Sequence, residues 1–208
     1  MGGTATRYLY LVRHAEALPG DGGGLSANGR RQAELLGRRL RGCPLAVLNH
    51  GPLTRAAQTA QLIAEQLDGV PRAAAPAAGD YLPYLPQADE LPPEHAEFLL
   101  SLLDRFTGLG AEEVEQGAQL AREAVARFTG PVAGSHERHE LLVTHNYLAS
   151  WLVRQALDAP NWRWLTLNHT NTGLTVIRYN PGRPAALLSY NDTSHLPSTR
   201  PLAAGLRG

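Results

Sequence analysis

The chain has 208 residues, 43% of them apolar, and a formal net charge of zero. That length suffices for one substantial core, and the balanced charge excludes a global pull toward nucleic acid, anionic membranes or polyanionic substrates, so any anion site must be local. All 19 basic residues are arginines and Cys43 is the only cysteine. A Walker A loop, Schiff-base chemistry, an internal disulfide and a cysteine zinc cage are thereby excluded.

Tyr8 to Val12 predicts a short buried strand that stops at Arg13 and His14, before a break at Pro19 to Gly24. In an open α/β sheet, ligands bind at the carboxyl ends of strands, so this pair is expected at an exposed, functional edge. A helix follows over Arg30 to Arg41, with Ala33, Leu35, Leu36 and Leu40 at helical spacing and Ser26 as its N-cap. Cys43, at its end, is expected as a small half-buried residue rather than a reactive thiol. Leu45 to His50 is a second strand.

Gly51-Pro52-Leu53-Thr54-Arg55 opens a helix to about Leu67. Arg55 would lie in its first turn, beside free N–H groups and the positive end of the dipole. A cation fits there when an anion is expected in front of it. A third strand is expected near Arg72 to Ala78, then an irregular Pro-rich loop, a helix from Pro93 to Phe106 and another from Ala111 to Phe128. Pro131 to His139 has the composition of a surface loop, and its two histidines lack the spacing of a metalloprotease helix.

Glu140 to Thr144 is a buried strand that ends at His145-Asn146, before a helix from Tyr147 to Leu157. Leu174 to Tyr179 and Ala185 to Tyr190 predict an antiparallel hairpin at a sheet edge. His169 and Asn171 precede it and could reach a pocket, but they are left out of the site, as are His50, His95 and His195. Trp151, Trp162 and Trp164 are expected in the core. The tail past His195 has no periodicity and is expected to be loose.

Alternating strands and helices argue for a three-layer α/β/α sandwich with a mainly parallel central sheet, as one domain over residues 1–208 with its core at about 7–192. If the strand ends converge on one edge, Arg13, His14, Arg55 and His145 surround one pocket. Two guanidiniums and an imidazolium suit a phosphoryl group, and the other imidazole can be a nucleophile.

Four ordered stretches carry a resemblance: Leu11 to Glu16, Leu25 to Ala33, Gly51 to Ala60 and Val143 to Asn146. Together they resemble the histidine phosphatase superfamily, also called phosphoglycerate-mutase-like, in its small phosphatase branch. Ala15, Gly51 and Asn146 stand where that family commonly has glycine, serine and glycine. The resemblance implies an acid-type histidine phosphatase that needs no cofactor or metal. His14 would be the nucleophile, Arg13, Arg55 and protonated His145 the phosphate ligands, and a carboxylic acid the proton donor.

The family places that acid near Asp80, the leading candidate, with Asp89, Glu90 and Glu94 as competitors. The expected partner is a phosphorylated small molecule or a phosphoprotein. Alternatives are a mutase-type phosphotransferase and a non-catalytic phosphate-recognising module. Met1 to Arg7 lacks an apolar signal core, and no stretch nears the ~20 apolar residues of a membrane helix. A soluble, cytoplasmic setting is expected, with the oligomeric state open, a dimer included.

Overall fold

Alternation along the first long strand divides the core into two. Leu9 and Leu11 face one layer of helices, while Val12 faces the other. Further along the chain Leu142 takes the first side, and Leu141 and Val143 take the second. Successive side chains of a strand point to opposite faces, so a sheet buried on both faces needs such near-continuous apolar runs.

The computed structural model describes residues 3–20 and 23–197. Asp21 and Gly22 of the glycine rim, and the tail from residue 198 onward, lie outside the described residues; the expectations of a pliant rim and a loose tail fall partly on them. In chain order the elements are β1 (Thr4–Ala5), β2 (Arg7–Arg13), α1 (Ala27–Arg39), β3 (Leu45–His50), α2 (Thr54–Ala64), β4 (Arg72–Ala74), α3 (Ala96–Leu103), α4 (Ala111–Phe128), β5 (Val132–Ala133), β6 (Arg138–Thr144), α5 (Asn146–Ala156), β7 (Leu174–Tyr179) and β8 (Ala186–Asp192).

The main sheet has the order β4-β3-β6-β2-β7-β8. Its first four strands pair in parallel and the last two antiparallel, as a mainly parallel sheet with an edge hairpin requires. Helices α1 and α2 cover one face through Ala33, Leu36, Ala60 and Ile63. The other is covered by α4 and α5, through Ala121, Ala124, Phe128, Leu148 and Leu152. This is the α/β/α sandwich anticipated above. All three tryptophans are buried.

Several boundaries differ from expectation. Helix α1 starts at Ala27 because the Ser26 side chain accepts the Gly29 N–H and fixes the first turn. β4 stops at Ala74 and gives way to a tight turn, Pro76–Ala78; proline has no N–H for a ladder. The helix expected from Pro93 to Phe106 is helical in the α sense only over Ala96–Leu103, with tighter turns at both ends.

The Pro131 to His139 loop is in part a strand. Val132–Ala133 pairs with Thr4–Ala5, and β6 begins at Arg138; two-residue strands leave no periodic signal. His139 is packed rather than loose. Its ring stacks on Tyr8 at 4.5 Å and meets the Tyr10 hydroxyl at 3.0 Å.

Candidate active site

Strand register brings the histidines together. Arg13 lies opposite Thr144 in the parallel pair of β2 and β6, so His14 and His145 leave adjacent strands side by side. The His14 N–H donates to the Thr144 carbonyl at 2.8 Å, and the ring centroids stand 4.9 Å apart. His14 is 8% exposed and His145 1%.

β3 flanks β6 on its other side, and just past its end the Gly51 N–H donates to the Val143 carbonyl. A Cβ on Gly51 would stand 2.3 Å from the Ala78 carbonyl and 3.3 Å from His145 Nε2. Bare backbone is what fits beneath the ring; this accounts for glycine where the family carries serine. The Ala78 carbonyl also accepts the Thr144 hydroxyl at 2.8 Å.

Arg55, in the first turn of α2, donates through Nη2 to Asp80 Oδ2 at 2.6 Å. The same oxygen is 3.4 Å from His145 Nδ1. Arg13 donates through Nη1 to the His169 carbonyl at 2.8 Å. Arg13, His14, Arg55, His145 and Asp80 therefore occupy one place.

The competing carboxylates are elsewhere. Glu90 is held by the Tyr84 hydroxyl at 2.7 and 2.8 Å and by the Gln87 N–H at 2.7 Å. Asp89 and Glu94 sit in short turns, and neither pairs with a cradle cation among the described residues.

Hydrogen bonding sets the reactivity of His14. Its Nδ1 is 2.8 Å from the Ala15 carbonyl. A carbonyl can only accept, so Nδ1 carries the hydrogen and Nε2 keeps its lone pair. Burial, aided by the Arg13 and Arg55 charges, pushes His14 down to about 4 despite that bond. Ala15 donates its N–H to Thr59 Oγ1 at 3.0 Å, and its methyl is fully buried against the α1–α2 side of the core.

His145 is also pushed well below the usual imidazole range, by burial above all, against the pull of Asp80. Neither of its ring nitrogens has a hydrogen-bond partner among the described residues. Expected as a protonated ligand once phosphate is bound, it is held toward the neutral form by these neighbours alone. A dianion placed beside it would reverse the balance.

Residues left out of the expected site form a clamp behind it. Asn171 Nδ2 donates to the His14 carbonyl at 2.8 Å, and the Thr172 N–H to the Arg13 carbonyl at 3.0 Å. Asn146 Oδ1 accepts the His169 N–H at 2.8 Å, a bond that glycine in its place could not make. Thr172 adopts a φ of 56°, a left-handed conformation that is strained for a β-branched residue. The signal for the clamp was its place before β7. An antiparallel neighbour of β2 starts where β2 ends.

Comparison with known proteins gives three consistent results. The model of the family described as histidine phosphatase superfamily (branch 1) matches residues 9–193. Among curated proteins, the mitochondrial serine/threonine-protein phosphatase Pgam5 of Caenorhabditis elegans is 29% identical over 201 residues, covering 95% of this chain and 66% of that protein. PGAM5 of Homo sapiens, with the same description, is 27% identical over 203 residues, covering 93% and 65%. The chain thus spans about two thirds of the length of these relatives.

Among solved structures, a putative alpha-ribazole-5'-P phosphatase of Escherichia coli superposes with a TM-score of 0.67 at 21% identity, over 90% of this chain and 98% of that one. That likeness is one of fold. The expected cytoplasmic setting is corrected, since the curated relatives matched are named mitochondrial. It rested on features the chain lacks, and a missing signal carries no address. Among the described residues, no helix is long and apolar enough to cross a membrane.

Proposed function

The chain belongs to the histidine phosphatase superfamily, branch 1, and from that premise we propose that it is a metal-independent phosphomonoesterase of the acid type working through phosphohistidine on His14. The observation that carries this reading is the neutral His14 ring, with Nδ1 tied to Ala15 and Nε2 bare, beside two guanidiniums. Residues 7–192 would act as one catalytic domain.

In the first step Nε2 attacks phosphorus in line; the P–N bond forms as the bond to the leaving oxygen breaks. Arg13 and Arg55 hold the equatorial oxygens, and His145 takes up a proton as the dianion arrives. The incoming oxygens displace Asp80 from Arg55. Asp80, released from Arg55 and protonated from solvent, gives that proton to the leaving oxygen; it then takes one from the attacking water, whose oxygen bonds phosphorus as the P–N bond breaks and the lone pair returns to Nε2.

Hydrolysis is favoured over a mutase reaction by the scarcity of cations near the pocket mouth: between Pro71 and Ala111 the only basic residues are Arg72 and Arg105. A simple binding module would have no use for a bare nucleophile. The relatives' names point to phosphoserine or phosphothreonine in proteins; a phosphorylated small molecule is the other substrate class the cradle suits.

The test is turnover of p-nitrophenyl phosphate and a broad phosphomonoester panel with a chelator present, together with trapping of the phosphoenzyme. No turnover across the panel sinks the phosphatase; activity surviving in His14→Ala sinks the mechanism.

A further inference from the structure

Beside the cradle lies a second concavity, of about 180 Å³, that the reaction drawn above leaves unused. Asn146 and Tyr147, the two residues after His145, line it together with Arg105, Phe106 and Trp164. It is joined to the cradle by a short chain of bonds: Asn146 Oδ1 holds the His169 N–H, and the His169 carbonyl holds Arg13. Through His169 and through the chain step from His145 to Asn146, the concavity borders the phosphoryl site.

Three rings form the wall as one interlocked unit. Tyr147 meets Trp164 at 5.5 Å and Phe106 at 5.4 Å, both edge to face, and Trp164 Nε1 donates to the Tyr84 carbonyl at 3.1 Å. Rings braced in this way keep the space open. An apolar cavity of about 150 Å³ takes a benzene ring, so this one, at about 180 Å³, has room for a single ring with a substituent.

Arg105 adds the charge. It is exposed, lies 6.0 Å from the Phe106 centroid, and has no ion-pair partner among the described residues. A guanidinium at an aromatic wall with no carboxylate to neutralise it is set to receive an anion.

We propose that the alcohol part of the substrate is a single aromatic ring carrying a second anionic group, with the ring against Phe106, Tyr147 and Trp164 and the anion on Arg105. As a statement about a leaving group this rests on the phosphatase reading, so the test measures binding and turnover separately. Binding is read by calorimetry with three phosphonates that cannot be hydrolysed: 4-carboxybenzyl, benzyl and ethyl phosphonate. Turnover is read with the matching phosphates, whose alcohols are of similar acidity, and with a phosphoserine peptide.

Affinity and kcat/KM are expected to fall about tenfold from carboxybenzyl to benzyl and again to ethyl. Arg105→Ala should erase the first gap, and Arg105→Lys should retain most of it. Equal affinity for all three, a uniform loss for all three in Arg105→Ala, or a phosphopeptide preferred by more than about tenfold overturns the subsite. The expected binding order without turnover of any phosphate would uphold the subsite and sink the phosphatase.

Discussion

Strands β2 and β6 carry charged clusters at both ends, and the two are built on opposite principles. At the amino ends, Arg7 is buried against Glu140 at 3.5 Å and donates to the carbonyls of Arg127 and Thr129 at 2.9 and 3.0 Å. Arg138 joins Glu140 at 2.8 Å. Through its Nη1 bonds and these ion pairs, the charge there is answered within the protein. At the carboxyl ends, Arg55 and His145 both approach the carboxylate of Asp80 with Arg13 and His14 beside them, and neither His145 nitrogen makes a hydrogen bond among the described residues. The charge count is the same at both ends, two guanidiniums to one carboxylate. The difference is that backbone carbonyls complete the first cluster, which holds strands together, while the second leaves a buried imidazole without hydrogen bonds, an arrangement shaped for a ligand.

If that contrast is right, substitutions at the two ends should separate activity from stability. The largest effect is expected from His14→Ala, which should lower kcat/KM at least about ten-thousandfold and abolish the trapped phosphoenzyme. The fall in Tm should be smaller than that of Arg7→Met, because the neutral ring lies outside both apolar core clusters. A large fall in Tm with activity retained would mean that the carboxyl-end cluster is structural after all.

Asp80→Asn should come next, with kcat down roughly a hundredfold to a thousandfold. The loss should be greater for alkyl than for nitrophenyl esters, since a poor leaving group depends more on its proton. An equal loss on both substrates would place Asp80 as a brace for Arg55 rather than as the acid.

The same contrast governs what the sequence disclosed. Arg13, His14, Arg55 and His145 were legible because strand ends and helix starts are local features, and their order follows from the alternation of elements. Asp80 could be placed only near the site, because the segment after β4 has no period. The clamp of Asn146, Asn171 and Thr172 was harder to see. It acts through backbone N–H and carbonyl groups and one strained φ, none of which leaves a residue pattern. The pairing of β1 with β5, two residues on each side, was invisible for the same reason. Arg7 with Glu140 was also missed, since parallel register across more than a hundred residues is a tertiary fact.

Arg7→Met tests the amino end. It strands Glu140 with the half-exposed Arg138 and leaves two carbonyls unanswered. A cost of about 3 kcal/mol is expected, or roughly 6 to 12 °C in Tm, with kcat/KM near wild type. Loss of activity without loss of stability would show that the two ends are coupled through the strands and that the division drawn here fails.

The smallest effect, and the most specific, is in the pH dependence of stability. His14 sits at about 4 in the folded chain, chiefly through burial, and near 6.5 when unfolded. Above pH 6.5 both states are neutral there and the group contributes nothing. Between 6.5 and 4 the unfolded chain binds a proton that the folded chain refuses, so stability falls as pH falls; below about 4 both are protonated and the deficit is complete. His145 acts with the same sign. Denaturant melts at pH 7.5 and pH 5.0 should show a loss in the wild type that is smaller in His14→Gln and unaltered in Arg7→Met. The acid limb of kcat/KM should likewise extend well below pH 6.5, because the nucleophile remains deprotonated there. An unaltered pH slope in His14→Gln would mean that the buried ring is not where protons are refused, and the neutral nucleophile would have to be abandoned.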